Sequence, residues 1–237
     1  MPPLCCTDHP EPGVIHAPVP VVTQYATADL IDAIAYGGHD PRNDPNWEAT
    51  GAPSQSVYAR WCRHMCGIAC LEMVLLHRDG HAPSPFELLA GARHYGAYVR
   101  QDNHIKGLIY KPFVDYARDT HGLDGEVHPS FDMPGLVEQL DAGRLVIASV
   151  SKEIRRPDQA PERRGGHLVL LIGRSQGLIV FRNPSGHTPQ ARAAVMDMGE
   201  FEPFFGGRGI SLDLRRTVRP KLAQAAAARP VASRPTT

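Results

Sequence analysis

Three short stretches carry side chains suited to acyl transfer through sulfur. CGIACLEMVL places Cys66 and Gly67 at the start of an apolar helical pattern. Free amides and the macrodipole at a helix start favour a thiolate, so a lowered thiol pKa and high reactivity are expected of Cys66. Two other readings stand beside this one. Free cysteine is a common core residue. Cys62, Cys66 and Cys70, spaced four apart with His64 among them, would share a helix face. However, a structural zinc site normally draws two close pairs from different segments, and no CxxC is present.

A nucleophilic thiol needs a base and a group that orients the base. Of twelve histidines, His167 stands apart, opening the apolar run GGHLVLLIG. The next run ends in FRNPSG, and a tight turn at Ser175-Gln176-Gly177 folds the two into a hairpin. That hairpin brings Asn183 beside His167. Replacing Asn183 by Ala is expected to lower turnover with little loss of stability.

These segments must be positioned by a larger frame. Thr27 is placed to cap a helix through ADLIDAIAYG, and further helices are expected at about 66–78, from the capping box Ser84-Pro85-Phe86-Glu87 to about Tyr95, after Pro112, and over MPGLVEQLDAG. VPVVTQY (19–25) reads as a strand, and residues 39–56 as a loop. Strands are expected at 144–151, 167–174, 177–183 and 209–214. Helices before an antiparallel sheet make an α+β class.

Three motifs in order, 101 and 16 residues apart, resemble the papain-like cysteine peptidases, above all the double-glycine leader peptidases of bacteriocin export. CGIACLEMVL resembles their nucleophile helix, LDAGRLVIASV the segment before the base, GGHLVLLIG the base strand and FRNPSG the orienting Asn-Pro. The likeness covers roughly 19–215. It implies a papain-like fold with the nucleophile helix packed on a C-terminal antiparallel sheet. It implies Cys66 as nucleophile, His167 as general base and Asn183 as orienter. The family also places a glutamine amide at the oxyanion. Gln24, ending VPVVTQY, is the preferred match and Gln55 the alternative. The implied function is a thiol-dependent peptidase or amidase. An acyltransferase or peptide ligase using the same triad, or a non-catalytic peptide-binding domain, are the alternatives.

The remaining features bound the partners. Lys+Arg and Asp+Glu balance at 25 each, so no nucleic acid is expected. No apolar run of about 18 residues suggests a membrane span. There is no GxxxxGK loop to power transport. MPPLCCTDHPEPGV lacks the basic start and apolar core of a secretory signal, so a cytoplasmic location is expected. No cofactor or metal is expected, and the partner is a peptide or amide substrate. Residues 1–18 and 216–237 are expected to be flexible, with one domain between them. The loop RRPDQAPERRGG (155–166) holds four arginines, either to meet a substrate carboxylate or to sit in solvent. Phe201, Phe204 and Phe205 are expected under the sheet.

Overall fold

A computed structural model describes residues 14–16, 18–102 and 104–215. The expected tail 216–237 and residues 1–13 lie outside the described residues. The helices are α1 (Ile31–Ala35), α2 (Gln55–Trp61), α3 (Cys66–Asp79), α4 (Pro85–His94), α5 (Tyr110–His121), α6 (Met133–Asp141) and the short α7 (Pro189–Arg192) and α8 (Met198–Phe201). The strands are β1 (Val99–Gln101), β2 (His104–Lys106), β3 (Gly125–His128), β4 (Leu145–Ser151), β5 (Gly166–Ser175), β6 (Leu178–Arg182), β7 (Ala193–Asp197) and β8 (Phe205–Leu212). β1 and β2 form a separate hairpin. The other six make one antiparallel sheet in the order β3-β8-β4-β5-β6-β7. The class is α+β.

The central strands read as unbroken apolar runs because both faces of the sheet are covered. Leu145, Ile147, Leu168, Leu170 and Ile172 belong to the core shared with α3, α4 and α5. Their neighbours Val146, Ala148, Val150, Val169 and Leu171 pack with Leu136 and Leu140 of α6 and with Phe181, Phe201, Phe204 and Phe205. Helix α3 is buried along Gly67–Leu71 and Met73–Leu75, which fits its almost uniformly apolar sequence. Gly80, in the left-handed conformation, ends it. At α4 the capping box forms as expected, with Ser84 and Glu87 bonding each other's backbone.

Several expectations are corrected. Residues 19–25 form no strand; the Gln24 backbone N–H instead donates to the Pro184 carbonyl at 2.9 Å. Thr27 does not cap by its side chain, because its hydroxyl bonds Asp44. The expected loop 39–56 contains two 3-10 turns and runs into α2, whose N-cap Ser54 accepts from Val57 N–H at 3.3 Å. Strands β1, β2, β3 and β7 are additional. Val14–His16, within the segment expected to be flexible, lie against β5: Arg174 N–H donates to Val14 O and His16 N–H to Ile172 O. Gly173 makes this possible, since a Cβ there would stand 2.1 Å from the Val14 carbonyl oxygen. The β5–β6 turn is as expected: Gln176 and Gly177 both have positive φ, which suits a two-residue hairpin.

Candidate active site

Cys66 is the first residue of α3. The first helical bond runs from Ala69 N–H to Met65 O, so the preceding amides have no helical acceptor. The amides of Cys66, Gly67 and Leu168 instead approach the thiol. Gly67 permits that crowding, because a Cβ there would meet Tyr98 Oη at 3.0 Å and Leu108 and Leu168 at 3.2 Å. Burial pushes the Cys66 thiol above its ordinary value, against the opposing pull of Arg155 and the three amides. The expected lowering is therefore overturned: desolvation of the charged form outweighs the helix start. Burial also raises Cys62, to about 12, and Cys70 well above the ordinary value.

The β5–β6 hairpin brings His167 Nε2 to 2.8 Å from Asn183 Oδ1. The orientation of this amide follows from its other partners. Asn183 Oδ1 also accepts from the Ser185 backbone N–H at 3.1 Å, and Nδ2 donates to Ile154 O at 3.3 Å. A backbone N–H only donates and a carbonyl only accepts, so Oδ1 is the acceptor toward His167. Nε2 then carries the hydrogen, and Nδ1 of the neutral ring is the bare, basic nitrogen. Arg155 agrees with this tautomer: its guanidinium, a donor only, stands 3.4 Å from Nδ1. Arg155 also donates to Ser185 Oγ at 2.6 Å, and that oxygen is 3.1 Å from Nε2. Burial and then the Arg155 cation hold His167 well below its ordinary value, opposed by the Asn183 bond. Burial thus opposes charge on both Cys66 and His167, and no hydrogen bond joins them.

Cys66 and His167 line one open cleft of about 550 Å³, with Leu108, Tyr110, Leu168 and Arg208 among its other walls. Gln24 is buried nearby and its Nε2 donates to Cys62 O at 2.8 Å. Its side chain lines a separate small cavity with Glu72 rather than the cleft. Gln55 is exposed at the start of α2 and lines neither. Arg155 and Ser185 were not identified from sequence. Four arginines in one loop signalled a charged neighbour, but not which of them turns inward.

No helix among the described residues is long and apolar enough to cross a membrane. No family model and no curated protein matches the chain. Solved structures similar to it include the peptidase domain of ComA, a bifunctional Streptococcus ABC transporter (17% identity, 62% of this chain and 90% of that one, TM-score 0.42). Another is a double-glycine motif protease from an AMS/PCAT transporter, in complex with its leader peptide (18% identity, 62% and 82%, TM-score 0.44). A C39-like peptidase from Bacillus anthracis is 15% identical over 86% of this chain and 99% of that one, with a TM-score of 0.49.

Proposed function

We propose that the chain is a papain-like, thiol-dependent peptidase or amidase. Cys66 is its nucleophile, His167 its base and acid, and Asn183 the residue that fixes the imidazole. One observation carries this reading: the Asn183 bond leaves Nδ1 as the only basic nitrogen of a histidine that shares a cleft with a thiol at a helix start. As the substrate carbonyl enters, Cys66 Sγ attacks it while its proton passes to His167 Nδ1, and the C–N bond then breaks as His167 protonates the departing amine. Water attacks the thioester, again giving a proton to Nδ1, and the acid leaves as the thiol reforms. The amide N–H of Cys66 is the backbone donor for the oxyanion. Gln24 is proposed to support it through its hold on Cys62 O, which shapes the entry to α3, and Gln55 takes no part. Contacts in an empty site commonly tighten only when substrate binds, so Sγ and Nδ1 meet in the complex.

An amine in place of water would make the same site a transferase or ligase. The lack of a hydrogen bond between Cys66 and His167 favours a second reading, a cleft that binds peptides without turnover. A peptide library followed by mass spectrometry separates these. Cleavage lost in Cys66→Ala and His167→Ala supports the proposal. Binding with no cleavage or transfer in the native protein would overturn it.

A further inference from the structure

The cleft around Cys66 has a charge imbalance that the whole chain lacks. Cations and carboxylates balance over the sequence, yet the cleft walls contain Arg63, Lys106 and Arg208 and no carboxylate. These cations come from three separate places: the 3-10 turn Cys62–His64, the end of β2, and β8. All three are exposed, and none forms an ion pair among the described residues. Elsewhere Arg78, Arg118, Arg144 and Arg174 each face a carboxylate. Arg208 also lies close to the Tyr110 hydroxyl on the cleft wall. Arg155 adds a further positive charge beside His167. Like charges lining a concave, partly dry surface focus their field and concentrate anions.

We infer that the cleft selects an acyl substrate with carboxylate groups close to the scissile bond, held by Arg63, Lys106 and Arg208. The carboxylates belong to acidic side chains or to a free chain terminus. This inference rests on Cys66 being the nucleophile.

Two small alkylating probes of the same chemistry test it: iodoacetate, an anion, and iodoacetamide, which is neutral. The rate of each at Cys66 is read by peptide mapping, and their ratio is divided by the ratio for a cysteine in a short neutral peptide. The expected normalised preference for iodoacetate is about tenfold or more at low salt. It should collapse toward one in 1 M NaCl, and fall in R63Q/K106Q/R208Q and in the single variants K106Q and R208Q. A ratio near one at low salt, or one that the variants leave unchanged, overturns the inference while the nucleophile reading stands. No alkylation of Cys66 by either probe overturns both. Protection of Cys66 from iodoacetamide then identifies the source of the carboxylate. Stronger protection by Ac-Ala-Ala-Glu-Ala-NH2 assigns a side chain, and by Ac-Ala-Ala-Ala-OH a terminus. No greater protection by either than by Ac-Ala-Ala-Gln-Ala-NH2 overturns the inference.

Discussion

Replacing Arg155 by Met removes a charge beside both reacting groups while keeping much of the side-chain bulk. The guanidinium lies 3.4 Å from His167 Nδ1. Coulomb's law at that separation gives about 1 kcal/mol in a water-like dielectric and about 5 kcal/mol at an effective dielectric of 20. Arg155 is half-buried, so the lower part of this range applies to the charged ring of His167. The sign is fixed. Loss of a cation makes a second positive charge on the ring less costly, so the His167 midpoint rises. The Cys66 thiol also rises, because its anion loses a counter-charge. NMR titration of the imidazole, assigned with His167→Gln, reads the first effect. The pH dependence of Cys66 alkylation by iodoacetamide reads the second, and its rising limb should move to higher pH. If neither midpoint moves in a folded Arg155→Met protein, Arg155 does not tune the pair.

Two further substitutions probe buried polar groups. Asn183 is fully buried and satisfies Ser185 N–H and Ile154 O as well as His167. These contacts argue against the sequence-based expectation that Asn183→Ala costs little stability. At about 1–3 kcal/mol for each of the two stranded backbone groups, a loss of about 2–6 kcal/mol is expected by chemical denaturation. Asn183→Asp keeps the acceptor for Nε2–H and should slow turnover less than Asn183→Ala at temperatures where both are folded; equal turnover in all three proteins would remove Asn183 from the mechanism. Glu72 is pushed from 4.5 to about 7 by burial, and its Oε2 has no partner among the described residues. A raised carboxyl contributes stability that is full below pH 4.5 and is lost as pH rises through about 7. Glu72→Gln should therefore raise the melting temperature at pH 8, by the equivalent of up to about 3 kcal/mol, and change little at pH 4.5. An unchanged melting temperature at pH 8 would show that the carboxylate reaches water when charged.

The features legible in the sequence are those set by local chemistry. The Ser84–Glu87 capping box and the Gln176-Gly177 turn each act within four residues, and each forms. The β5–β6 hairpin places His167 beside Asn183 because one short turn fixes both ends. What failed depends on distant partners. VPVVTQY has β-branched residues but no neighbouring strand takes it up. Helix α2 was hidden behind a Pro- and Asn-rich approach, and its burial of Tyr58 and Trp61 is tertiary. β7 is an edge strand with an alternating, half-exposed pattern too short to stand out. The direction of the Cys66 shift depended on how deeply the thiol is buried, which no local pattern encodes. Likewise, Arg155 is singled out from its three loop neighbours only by the 3-10 turn Lys152–Arg155 that follows β4.

The most direct test of the account is capture of the acyl enzyme. The protein is mixed with a library of peptide thioesters, quenched in acid within seconds, and examined by intact mass and peptide mapping. The account predicts one acyl group per chain, on Cys66. His167→Ala should slow its formation strongly, and Cys66→Ala should abolish it, with Cys62 and Cys70 unmodified. Acylation confined to other cysteines, or labelling of Cys66 at the same rate with and without His167, would contradict it.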